Sequence, residues 1–243
     1  MKWNPFQIGK YTEVELIVAV HQPQYLPWLG YFDKIRRADM VCFLDNVQYK
    51  KNDWQNRNRI KTAQGWQWLT VPVHYRFPQK ITEVAINNTV KWKKKHLQAL
   101  TSNYHRAPFF DSYSDIFKEV FAKTWESLAD LNILLIKRLT SALGLDREPF
   151  VRASDFDLRA DPTDRLIDIC KILNADTYLS GRDGVKYMNM ERFKQNGIGV
   201  VVQDFQHPQY PQLFGGFQSH MSIVDLLFNC GAKSLAKIKE INP

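Results

Sequence analysis

Leu16-Ile-Val-Ala-Val20 runs without a polar break into His21-Gln-Pro-Gln-Tyr-Leu-Pro-Trp-Leu-Gly-Tyr-Phe32. A continuous apolar run of this kind, mostly aliphatic, reads as a strand covered on both faces, and such strands belong to parallel sheets with helices on either side. The strand ends at a histidine, followed at once by prolines, aromatics and a glycine. Ligands of open α/β sheets bind beyond the carboxyl ends of the strands, so His21 and Gln22 stand where a substrate arrives. A simple turn has no need of Trp28, Tyr31 and Phe32 packed around it.

The remaining sequence repeats the alternation. Residues 40–44 form a second apolar strand ending at Asp45, and residues 46–67 a polar, basic, aromatic excursion or hairpin. Residues 68–73 read as a third strand, which Pro72 confines to an end or an edge, and residues 81–86 as a fourth. Helical periodicity covers residues 92–102, 108–121 and 127–143, with Gly144 as terminator. From Phe150 the βα pattern resumes: a strand at 149–154, a helix at 162–173 with Asp161 as cap and Pro162 in its first position, a strand at 176–180, a short helix at 190–195, a strand at 198–205 and a helix at 221–230. The expectation is an α/β fold with a mainly parallel, Rossmann-like sheet, crossover helices and a helical insertion or subdomain. It divides into an N-terminal half (1–90), a helical section sized as a subdomain or lid (91–148) and a C-terminal half (149–243).

Lys and Arg number 33 against 25 Asp and Glu, a net charge of +8 that suits an anionic partner. Cys42, Cys170 and Cys230 lie far apart in apolar runs, as reduced core thiols of a cytosolic protein do. No apolar run approaches the ~20 residues of a membrane span, and residues 1–10 lack the apolar core of a signal peptide, so the expected location is cytoplasmic. Without HExxH, a His/Cys cluster or an EF-hand loop, no metal site is indicated.

Four segments carry candidate chemistry. The first is His21-Gln22, the histidine as general base or orienting group. The second runs from Asp45 to Lys61. Lys50, Arg57, Arg59 and Lys61 suit phosphate or carboxylate oxygens, Trp54 a stacked ring, and its dense Asn and Gln amides base or sugar hydroxyls; Asp45 is placed to orient His21 or hold a substrate amine. The third is Tyr178-Leu-Ser-Gly-Arg-Asp-Gly-Val-Lys-Tyr187, where Ser180, Gly181, Gly184 and Tyr187 follow a strand and glycine amides can approach an anion. The fourth is His207-Pro-Gln-Tyr-Pro-Gln212, in which His207, Tyr210 and Gln212 repeat the chemistry of the first. Two such loops on one end of a sheet are expected to converge on one pocket.

These segments, with Phe43-Leu-Asp45, Trp54-Gln-Asn-Arg-Asn-Arg-Ile-Lys61 and Ser222-Ile-Val-Asp-Leu-Leu-Phe-Asn-Cys-Gly231, resemble the WbqC-like family over about residues 17–240. The resemblance implies an association with bacterial surface-polysaccharide (O-antigen) synthesis, and a cytoplasmic enzyme acting on a sugar nucleotide or a carrier-bound acyl or aminoacyl group. The opening strand-loop-helix is also distantly similar to the nucleotidyltransferase and HIGH-type synthetase fold; Gly30-Tyr31 stands where that motif closes on Gly-His, which counts against adenylyl transfer by that chemistry.

The leading expectation is a transferase that forms an amide by passing an acyl or aminoacyl group, such as glycyl, onto an amino-sugar nucleotide. His21 is the base and His207 the second choice. Arg57, Arg59 and Lys61 hold the diphosphate, Gly181 and Gly184 bind phosphate or oxyanion, and Tyr25, Trp28 or Trp54 stacks on a ring. A carrier-bound acyl donor or a nucleotide is the expected co-substrate. A nucleotidyl-transferring or adenylate-forming enzyme is the alternative, and a nucleic-acid binding module ranks last.

Overall fold

The computed structural model describes residues 15–145 and 149–242; the polar stretch 1–10 lies outside them. β1 (Ile17–His21), α1 (Leu29–Arg36) and β2 (Met40–Phe43) open the chain. β3 (Arg57–Thr62) and β4 (Gly65–Thr70) form an antiparallel hairpin, and β5 (Val73–His74) pairs with β6 (Ala85–Ile86). Three helices follow: α2 (Trp92–Tyr104), α3 (Phe110–Ala122) and α4 (Leu128–Ala142). The chain then runs through β7 (Phe150–Arg152), α5 (Pro162–Ile172), β8 (Thr177–Ser180), α6 (Met190–Gln195), β9 (Gly199–Val202), α7 (Ile223–Cys230) and α8 (Ser234–Ile241).

The five-stranded sheet has the order β7-β2-β1-β8-β9, every neighbouring pair parallel. The fold is therefore the α/β class expected from the alternation of strands and helices. From β1 the chain builds outward through β2 to β7, then returns to the other side of β1 with β8 and β9. The strand order thus reverses between β1 and β8, the position at which open α/β sheets form a ligand crevice.

Successive side chains of β1 face opposite sides, as strand geometry requires. Ala19 joins the larger core, which gathers residues of α1 to α4 and α7; Val18 and Val20 join a smaller one with Ile167, Ile169 and Cys170 of α5 and Phe193 of α6. The three cysteines are buried free thiols. Among the described residues, no helix is long and apolar enough to cross a membrane.

Three strand boundaries move. The third strand is 65–70, because Gly65, at φ +119°, closes a tight turn that pairs Arg57–Thr62 with it. The fourth breaks into a 3-10 turn, Ile81–Glu83, and the short β6. β9 stops at Val202 because Gln203 turns inward and donates its Nε2–H to Gly30 O (2.9 Å) and Asp33 (2.7 Å). The helical section contributes to the larger core. α4 begins at a Ser127 cap and buries residues on several faces, Leu131, Asn132, Leu135, Ile136 and Leu139 among them.

Asn132 shows why α4 is central. Its Nδ2 donates to Pro23 O (3.1 Å) and Gln55 O (2.7 Å), two carbonyls from separate loops. A buried carbonyl without a partner costs about 1–3 kcal/mol. Asn132→Ala is therefore expected to destabilise the fold by about 3 kcal/mol or more, seen as a lower urea midpoint with an unchanged slope.

Candidate functional site

The carboxyl ends of β1 and β8, the strands flanking the switch-point crevice, bring His21, Gln22, Ser180 and Gly181 to one end of the sheet, where Lys34 bonds the Val20 carbonyl. The half-buried His21 ring lies 4.4 Å from the Tyr31 ring and places Nδ1 3.3 Å from Gln22 O. A carbonyl can only accept, so Nδ1 carries the proton and Nε2 keeps its lone pair; no partner for Nε2 occurs among the described residues. Burial, and then the Lys34 ammonium, lower the His21 pKa to about 3, so the imidazole is neutral. Lys34 is itself buried and donates to Val20 O at 2.9 Å; desolvation lowers its pKa to about 7. Tyr31, in the place of a synthetase-type histidine, donates its hydroxyl to Gln22 O (3.1 Å) and shapes the loop.

The amides that the sequence offers for substrate recognition are mostly spent inside the protein. Gln55, Asn56 and Asn58 are buried. Gln55 Nε2 donates to Gln22 Oε1 (2.6 Å), Asn56 Nδ2 to Val71 O (3.0 Å) and Asn58 Nδ2 to Leu26 O (2.8 Å). They tie the Pro-rich loop to the basic segment.

The β3–β4 hairpin carries a different surface. Arg59 is registered against Trp68, and Trp66 sits two residues away on the same side of its strand. The Arg57 guanidinium lies 4.2 Å from the Trp68 ring centre, and that of Arg59 lies 5.1 Å from Trp66 and 5.8 Å from Trp54. The indoles of Trp54, Trp66 and Trp68 are exposed. Among the described residues no carboxylate pairs with Arg57 or Arg59, and each Nε is buried without a hydrogen-bond partner. Stacked guanidiniums with free edges and open indole faces form a receptor for a ring bearing anionic oxygens.

The fourth segment meets the hairpin. Arg59 donates to His220 O (3.3 Å), the His220 ring stacks on Trp28 at 5.5 Å, and His207 lies 5.2 Å from His220. A contact chain thus runs from Gln22 through Gln55 and the hairpin to His220, and from His220 to Trp28 and His207. The roles change, however. His207 donates Nδ1–H to Pro208 O (2.9 Å) and accepts the His220 N–H at Nε2 (3.1 Å), so both nitrogens hold the loop. Tyr210 and Gln212 donate to the buried Asp225 carboxylate at 2.9 and 2.6 Å. Tyr104 donates to the other Asp225 oxygen at 2.8 Å and accepts the Lys61 N–H. The Lys61 ammonium is buried against the carbonyls of Gly215 and Gly216 rather than offered to a phosphate.

Other expected site residues are redirected. Asp45 accepts from Ser154 N–H and Oγ–H, both at 2.9 Å, and so clamps β2 to the segment after β7 instead of orienting His21. Tyr25 is fully buried with its hydroxyl on His96 Nδ1 (2.8 Å), beyond reach of a stacked ligand. Gly184 spends its N–H on Gly181 O (3.0 Å), and a Cβ there would collide with Ser180 Oγ, so its small size serves a turn. Ser180 is buried, its hydroxyl donating to Gly181 O (3.0 Å). Lys50 and Tyr187 are exposed. His220 and Asp225 lie in the segment that follows the fourth candidate loop, whereas Lys34, Tyr104 and Trp66 escaped the sequence reading. Only the alternation of Trp66 with Trp68, on the strand opposite the arginines, could have flagged any of them. Two surface hollows, of about 430 Å³ near α6 and β9 and about 350 Å³ beside His105 and Phe214, lie elsewhere.

The imidazoles of His21, His96, His207 and His220 share one electrostatic signature. Burial lowers His96, which bridges Tyr25 and Thr70 O, to about 4, and also lowers His207 and His220. A folded pKa below the unfolded value near 6.5 favours the neutral form, so the stabilisation is complete above pH 6.5 and is lost as pH falls toward 3. Urea midpoints are expected to drop through that window, and a His96→Gln variant to drop less.

The profile of the WbqC-like protein family matches residues 22–237. "Uncharacterized protein Rv1507c" of Mycobacterium tuberculosis (strain ATCC 25618 / H37Rv) is 40% identical over 221 residues, covering 89% of this chain and 95% of that one. No solved structure matches. Every segment of the contact chain from Gln22 to Asp225 falls within the matched span, and by that span the chain belongs to the WbqC-like protein family.

Proposed function

We propose that the protein is a transferase of surface-polysaccharide synthesis, which passes an acyl or aminoacyl group onto an amine of a nucleotide-linked sugar. The observation that carries this reading is the neutral His21 at the β1–β8 crevice, with Nδ1 tied to Gln22 O and Nε2 unpaired. The hairpin supplies the anchor. Trp54, Trp66 or Trp68 stacks on the base, and the free edges of Arg57 and Arg59 take diphosphate oxygens. Trp28 lies between this anchor and the crevice, stacked on His220.

In the reaction the sugar nitrogen attacks the acyl carbonyl carbon. The N–C bond forms, the bond to the leaving thiolate or alkoxide breaks, and the amine proton passes to His21 Nε2 and on to the leaving group. An imidazole of pKa about 3 is a poor base in the empty protein. An anionic substrate beside it restores basicity, because a neighbouring negative charge favours the protonated ring. Gly181, at the end of β8, is the backbone position for the developing oxyanion.

The test pairs nucleotide-linked amino sugars with thioester acyl donors and reads the product by mass spectrometry. The expected product is the amide. His21→Ala is expected to lower kcat by ~10²-fold or more with little change in sugar-nucleotide Kd. Arg59→Ala is expected to raise that Kd about tenfold with kcat nearly kept. Turnover within threefold of wild type in His21→Ala would remove the base from the mechanism.

The exposed indoles and the guanidiniums stacked on them, which pair with no described carboxylate, favour a second reading, a platform for single-stranded nucleic acid. It requires oligonucleotide affinity that falls steeply with salt and is lost in Trp66→Ala. Salt-insensitive or absent binding leaves the transferase reading alone.

A further inference from the structure

Lys34 is a buried cation that the reaction above does not use. It lies on α1, 4% exposed, with Nζ 2.9 Å from Val20 O and 5.8 Å from the Tyr178 ring centre. The β1–β8 register runs from Ile17–Thr177 to Ala19–Leu179. Val20 is the next residue of β1, so the amine sits just past the last paired residues of the two strands, at the carboxyl end of the sheet's switch point. Its neighbours leave its charge uncompensated. β1 offers a carbonyl and the neutral His21, and β8 offers the Tyr178 ring, whose hydroxyl stays protonated because burial raises its pKa. On α1 itself, Asp33 accepts from Arg36 (2.7 Å) and Gln203 (2.7 Å), and Tyr31 is turned to Gln22. No described carboxylate forms an ion pair with Lys34.

A buried charge without a counter-ion is costly. It is retained where a ligand supplies the opposite charge. We propose that the β1–β8 crevice is a site for an anionic oxygen, carboxylate or phosphoryl, with the Lys34 ammonium as its charge partner and Gly181 at its rim. The occupant lies next to His21, so the same charge that neutralises Lys34 also makes the imidazole a better proton acceptor. The site is separate from the hairpin arginines, and its occupancy does not depend on acyl transfer being the reaction.

The state of the amine makes the site measurable. Desolvation holds Lys34 near pKa 7, so the empty protein is only partly protonated at neutral pH, and an anion bound there draws a proton onto the amine. Lysine Hε–Cε resonances of the full chain, followed against pH, are expected to show one lysine titrating near 7. Inorganic pyrophosphate and acetate, added separately, distinguish the two chemistries: the matching anion raises that midpoint by ~1 pH unit, and the other leaves it in place. Lys34→Met is expected to weaken the matching anion at least ~10-fold. Lys34→Arg retains binding and removes its pH dependence between 6 and 8. Arg59→Ala leaves the midpoint change intact. If neither anion moves the midpoint in the wild-type protein, or if Lys34→Met binds as wild type while Arg59→Ala does not, the crevice is not the anion site. Because no turnover is read, these outcomes stand apart from success or failure of the transferase assay.

Discussion

The site depends on a set of buried side-chain amides that complete the hydrogen bonding of long loops. Loops ordinarily stay at the surface because a buried backbone carbonyl needs a donor. Here the Pro-rich loop after β1 and the basic segment before β3 are covered by α4, and the donors come from side chains. Asn132 serves Pro23 and Gln55, Asn58 serves Leu26, Asn56 serves Val71, and Gln203 serves Gly30. Removing Asn132, Asn58 or Asn56 takes the side-chain donor from a loop carbonyl in the interior. These bonds let irregular backbone be as fixed as a strand, so that His21 and the hairpin hold their relative positions.

A second knot performs the same service for the later loop. The Asp225 carboxylate gathers Tyr104, Tyr210 and Gln212, while Lys61 closes on Gly215 and Gly216. Desolvation raises the Asp225 pKa, and its three donors and the Lys61 ammonium act against that rise. α7 supplies the carboxylate, α2 a tyrosine and β3 the lysine, so the loop that carries His207 and His220 is positioned by elements from three parts of the chain.

Much of the architecture was legible in the sequence, because strand periodicity and helix caps are local signals. The parallel sheet, the Asp161 cap of α5 and the end of α4 near Gly144 follow from residues within a few positions of one another. Which polar residues face a substrate is not local. Tyr25, Asp45, Lys61 and His207 have the right chemistry and lie in the right segments, yet each is occupied by a partner distant in sequence or by its own loop. The density of Asn and Gln in residues 46–61 marks backbone that must be held. Read as ligand contacts, it assigned to recognition what belongs to scaffolding. Lys34 was hidden for the converse reason: on α1 it resembles any surface lysine until its bond to the Val20 carbonyl places it at the sheet's switch point.

The position of β1 also bears on how the molecule is made. It is the middle strand, but its partner on one side, β8, begins at Thr177. A ribosome releases β1, β2 and the helical segment well before that partner exists, leaving one flank of the central strand without its mate. Non-local pairing of this kind slows folding and exposes unpaired edges in the interim. The nascent chain must therefore shelter Ile17–His21 until most of its length has emerged, which makes assembly of the crevice one of the last events in its biogenesis.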